Sequence, residues 1–244
     1  MKKERDLTSG NITSGLWAFA VPLMLGNVIQ QFYNLADTWI VGRYIGNIGL
    51  AAVGSSYTLM TFLTYIIIGL CLGNSTFISM EYGKKNIEKI RNGICISFVM
   101  ILAVTVGIII IFYGFLDEII KMLQVPKDTV ADMKVYLAYV FIGFFATFIY
   151  NYISNVLRAI GNSVIPLIFL GVSVVLNVFL DILFVAVLKM GIMGAAVATV
   201  ISQYISALGT FGYYFFQYPQ LKVRKSDIKW NKSNFKSILS LSGF

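Results

Sequence analysis

Two carboxylates stand where hydrocarbon would surround them. Of the eleven acidic residues, Glu4, Asp6, Glu81, Glu88, Asp117, Glu118, Asp128, Asp132 and Asp227 fall in tails, loops or helix ends, which leaves Asp37 and Asp181 inside long apolar runs. An ionised side chain in the middle of a bilayer is costly, so a titratable group kept there is read as functional rather than as helix glue. Two such groups side by side would hold a proton or a small cation in preference to two bare charges.

Each aspartate ends a polar stripe. Asn27, Gln30, Asn34 and Asp37 follow one another at steps of three, four and three residues; at about 100° per residue they fall within an arc of roughly 80° on a helix. Ser173, Asn177 and Asp181 recur every four residues and share a face. Tyr136, Thr147, Asn151, Asn155 and Arg158 line one side of a further apolar run, as do Thr199, Ser202, Gln203, Ser206 and Thr210 of the last one. For any single Asn, Ser or Thr, hydrogen bonding between helices is the plainer reading, and Asn27, Gln30 and Asn34 are cavity lining or glue on that basis.

The elements that must position these residues are six apolar stretches, each near the roughly 20 residues that a spanning helix needs. They run over Leu16–Val41, Leu50–Met80, Asn92–Leu116, Lys134–Val156, Val164–Leu188 and Ile192–Gln217. Spans one, four, five and six would surround a wet cavity, whereas the third, apolar around Ser97 and Thr105, would face lipid. Pro22 removes a backbone hydrogen bond near the start of the first helix and permits a bend there, static or moving. Gly69 and Gly73 have GxxxG spacing, whose ordinary meaning is close helix packing.

Composition agrees with a membrane protein. Of 244 residues, 58% are hydrophobic and only 12% charged, and the mean hydropathy is +0.79. The net charge of +8 sits in loops between apolar runs, which speaks for orientation in a bilayer and against a nucleic-acid partner. Most Lys and Arg fall on one side if the N-terminus is cytoplasmic, leaving Arg43, Lys121, Lys127, Lys134 and Lys189 outside. The absence of histidine excludes His-based triads, HExxH zinc sites and imidazole switches. Cys71 and Cys95 make no CxxC motif and read as core or lipid-facing thiols. The segment EYGKKNIEKIR, with mixed charge and helix formers, is expected at the membrane surface.

After Gln217 a polar, basic linker, residues 218–233, leads into a new apolar run, residues 234–244. That run aligns with the start of the first span through Asn11/Asn234, Ser14/Ser237 and Leu16/Leu239. A second six-helix repeat is therefore expected to begin there, because transporters are often built from repeats.

Taken in order, PLMLGNVIQQFYNLADTWIVGRYIG, AAVGSS, LRAIGNSVIP, NVFLDILF and GIMGAAVAT resemble the multidrug and toxic compound extrusion family of efflux transporters, in its branch related to DinF and MepA. The resemblance implies an all-α membrane protein whose six transmembrane helices, residues 1–217, form the N-terminal lobe of a twelve-helix alternating-access transporter. By resemblance, Asp37, Asn177, Asp181 and Thr199 would form a cation site for H⁺ or Na⁺, with Tyr136 beside it; the polar stripes themselves place Gln30, Asn34, Asn151, Asn155 and Ser202 around the cavity. Oxygen-only donors suit a proton or a hard cation. No cofactor is implied beyond the coupling ion, and Pro22 would be the hinge. The implied partners are membrane lipid, a small organic substrate and the missing second lobe; the implied location is the cytoplasmic membrane. A lipid-linked precursor flippase of the same superfamily would need a more cationic cavity than Arg158 alone provides. An intramembrane aspartyl protease would need the GxGD and PAL motifs, which the chain lacks.

Overall fold

The computed structural model describes residues 12–224, 227–228 and 231–242, and every element in it is helical. The elements are α1 (Ile12–Tyr44), α2 (Asn47–Gly83), α3 (Ile87–Gly114), α4 (Leu116–Met122), α5 (Val130–Ala159), α6 (Val164–Asp181), α7 (Gly191–Gln217) and α8 (Lys232–Leu241). The basic N-terminal tail with Lys2, Lys3 and Arg5, the repeat position Asn11, and Lys225 and Lys229 lie outside the described residues.

Among the described residues, α2, α3, α5, α6 with its continuation to Val187, and α7 are long and apolar enough to cross a bilayer. At 33 residues α1 is also long enough, but Asn27, Gln30, Gln31, Asn34 and Asp37 dilute its apolar content. It runs unbroken through Pro22.

At the centre lies α5, which packs most extensively against α7 and α2, while α6 joins α7 to α1. Its core face is aromatic: Phe141, Phe144, Phe148 and Tyr152 are almost wholly buried. Phe141 stacks on Phe112 of α3 at 3.7 Å between ring centroids. Outward, α3 presents Val99, Val106, Ile110 and Ile111, as a helix against lipid would. Its Ser97 and Thr105 donate to the carbonyls of Gly93 and Ile101, so their hydroxyls ask nothing of that face.

The structure adds detail to three stretches of the sequence. The segment EYGKKNIEKIR divides between the end of α2 and the start of α3. A turn at Lys84–Asn86 separates them, with Lys85 at φ 58° and the Asn86 side chain accepting from the Lys89 N–H at 3.2 Å. Of the GxxxG pair, Gly73 meets another helix, α8, whereas a side chain at Gly69 would find open space. The polar linker is partly folded, with a 3₁₀ turn over Pro219–Leu221 and Leu221 buried.

Candidate functional site

Four helices deliver the candidate residues to one place. Asp37 comes from α1, Tyr136 from α5, Asn177 and Asp181 from α6 and Thr199 from α7, and all five are buried. The four-residue spacing of α6 turns Ser173, Asn177 and Asp181 inward together. Immediately after Asp181 the helix widens into a π-helical turn, Ile182–Val187, with the Leu188 N–H reaching the Leu183 carbonyl at 2.9 Å. Such turns re-aim the side chains beside them and recur at functional sites.

The Asp37 and Asp181 carboxylates lie close enough to act on one another electrostatically. Yet Asp37 Oδ1, both Asp181 oxygens and both amide atoms of Asn177 are buried without a hydrogen-bond partner in the protein. Buried polar groups are normally satisfied, so a concentration of orphans around two acids fits a proton or small cation held among oxygens. Among the described residues no group of three or more His, Cys, Asp or Glu gathers, so a transition-metal donor set is not what these side chains form.

Tyr33 is the residue that sequence reasoning missed. Its hydroxyl donates to Thr199 Oγ1 at 3.3 Å and it lies in the field of both aspartates. The available signal was its position one turn before Asp37, which puts it on the same face of α1. Tyr136 sits beside Asp37, Tyr33, Asp181 and Thr199.

The outer candidates are not gathered there. Gln30 is exposed, as is Asn27, and Asn34 donates to the Tyr57 hydroxyl at 3.1 Å. Asn151 and Asn155 donate to carbonyls of their own helix, those of Thr147 and Asn151. Ser202 donates to Ala198, while its carbonyl accepts from Ser173 at 3.0 Å, which ties α6 to α7. At the level of the aspartates the candidate residues form a buried cluster. A cavity of about 450 Å³ near α4, lined by Asp117, Lys121, Lys127 and Lys134 among others, contains none of the candidate residues.

The family model MatE matches residues 22–183, a stretch that holds Asp37, Tyr136, Asn177 and Asp181. The chain belongs to the MatE family. Within it, the probable multidrug resistance protein YpnP of Bacillus subtilis is 34% identical over 206 residues, 84% of this chain and 46% of its own length. The multidrug export protein MepA of Staphylococcus saprophyticus is 27% identical over 222 residues, 89% of this chain and 47% of its own length. A crystal structure of MATE in the bent conformation superposes with a TM-score of 0.90 at 25% identity, covering 99% of this chain and 54% of that one. The chain spans about half the length of the curated relatives it matches. MatE proteins are multidrug efflux transporters rather than enzymes, which sets the protease reading aside.

Proposed function

We propose that this chain supplies the first of two six-helix lobes of a cation-coupled exporter of small organic, cationic compounds across the cytoplasmic membrane. The observation that carries the reading is the cluster of Asp37, Asn177 and Asp181, whose buried oxygens find no donor in the protein. H⁺ or Na⁺ taken from outside would neutralise the acid pair, with Asn177 Oδ1 and Thr199 Oγ1 as further oxygen ligands and Tyr33 and Tyr136 holding the rim. Neutralisation removes the repulsion between the carboxylates and so favours one packing of α1 against α6 and α7. A coupling ion drives transport only if it binds one access state better than the other, and a change in α1 packing supplies that difference. Pro22, which lacks the N–H to bond the preceding turn, is the place where α1 can bend.

In this reading residues 1–217 are the lobe, 218–233 the connection and 234–244 the opening of the second lobe, with the N-terminus cytoplasmic. The test uses the full-length transporter. Asp37→Asn and Asp181→Asn should each abolish ion-driven export of a fluorescent cationic dye from vesicles while leaving membrane insertion intact. Undiminished export in both variants would overturn the mechanism.

A further inference from the structure

The connection after α7 is bound to the lobe by a network that the acid pair does not use. The Tyr214 hydroxyl donates to the Leu221 carbonyl at 3.0 Å, and Asn162 donates to the Tyr218 hydroxyl at 3.0 Å. Further along, Asp227 folds back onto the start of α3. Its Oδ2 accepts from Arg91 Nε and from the Arg224 N–H, both at 2.8 Å, and its carbonyl accepts from Asn92 Nδ2 at 2.9 Å. Arg91 also reaches the Gln220 carbonyl at 3.5 Å. The ion pair is enclosed, with side-chain exposures of 13% for Arg91 and 2% for Asp227. Asn92 continues the network, accepting from Asn234 Nδ2 of α8 at 2.7 Å. Beyond it Ile238 is fully buried, and α8 lies so close to α2 that a side chain at Gly73 would run into the Ser242 backbone.

A charge pair this little exposed is costly to open, because either ion left alone would keep part of its desolvation. A tether between moving bodies would instead be solvated and polar throughout. We infer that Arg91 and Asn92 of α3, with Gly73 of α2, form a docking surface that fixes Pro219–Arg224, Asp227 and α8 to this lobe as one body. On the reading that a second lobe follows, its opening turns, α8, stay seated on the first lobe and its movement is taken up beyond Leu241. The surface fits a segment carrying a buried acid, an amide one helical turn into α8 and an apolar residue four positions later, as Asp227, Asn234 and Ile238 do.

Hydrogen–deuterium exchange of the full-length protein in nanodiscs tests this without any transport assay, so its failure is separate from failure of the exporter reading. Amides of residues 219–224 and 232–241 should exchange on the order of a hundredfold more slowly than an unstructured chain. Addition of Na⁺ or of a cationic dye should leave that protection within about twofold. Arg91→Ala and the shape-preserving Asp227→Asn should each speed exchange at these amides by about tenfold, while Lys89→Ala should not. Gly73→Val should release α8 with the Asp227 turn still protected. Exchange at unstructured rates, protection that changes more than tenfold with ion or dye, or protection indifferent to all three docking variants would overturn the inference.

Discussion

Tyr33 of α1 donates its hydroxyl to Thr199 of α7 across 3.3 Å, one helical turn from Asp37, and so ties together two of the four helices that meet at the acid pair. Tyr33→Phe keeps the ring and removes the donor. A single neutral hydrogen bond contributes about 0.5–1.5 kcal/mol net, so apparent affinity for the coupling ion should fall by up to about tenfold with little change in maximal rate. The ion dependence of dye export by the full-length variant measures this. An unchanged ion dependence would mean that Tyr33 only fills space.

Asn177 should trade stability for function. It is fully buried, and neither amide atom has a partner in the protein. An unsatisfied buried amide costs about 1–3 kcal/mol, so Asn177→Leu, with the same branching at Cγ and no polar atoms, should leave thermal stability equal or higher in ion-free detergent solution. The same substitution removes an oxygen from the site and should eliminate ion-driven export. A lowered melting temperature would show that Asn177 serves the fold instead.

Asn151 and Asn155 make the opposite case. Their amides bond to carbonyls of α5 itself, at 2.8 and 2.9 Å. Replacement of either by Ala should cost about 1 kcal/mol or less and leave export within about twofold, because the freed carbonyl already serves the helix. Export lost in Asn151→Ala would return that residue to the substrate path.

These contrasts mark what the residue pattern could carry. Helical periodicity placed Asp37 and Asp181 on faces that could meet, since the four-residue repeat of Ser173, Asn177 and Asp181 admits one buried side. The same periodicity could not separate Asn177, whose buried amide finds no partner, from Asn151, which turns back on its own backbone, because both occupy inward stripes. Tyr33 escaped because an aromatic residue in an apolar run looks like packing, and only its contact with Thr199 distinguishes it. The π-helical turn after Asp181 has no residue signature in ILFVAV. The fastening of Asp227 was hidden for another reason: Arg91 and Asp227 are 136 residues apart, and a basic, polar composition reads as a solvated linker until tertiary contact buries it.

That fastening should respond to acid and not to alkali. Burial alone would push the Asp227 carboxyl upward, but the Arg224 N–H and the Arg91 guanidinium outweigh it and hold the group below the usual aspartate range. A carboxyl lowered in the folded state contributes stability that is fully present above its unfolded value, about 3.9, and that disappears as the pH falls through the lower folded value. Protection of residues 219–224 against amide exchange, corrected for the intrinsic rate, should therefore be flat from about pH 5 to pH 9 and decline only below about pH 4. In Asp227→Asn the acid-dependent decline should vanish, because nothing remains to protonate. A midpoint between about pH 6 and 7 in the wild-type chain would place control of the segment on another group and refute the assignment to Asp227.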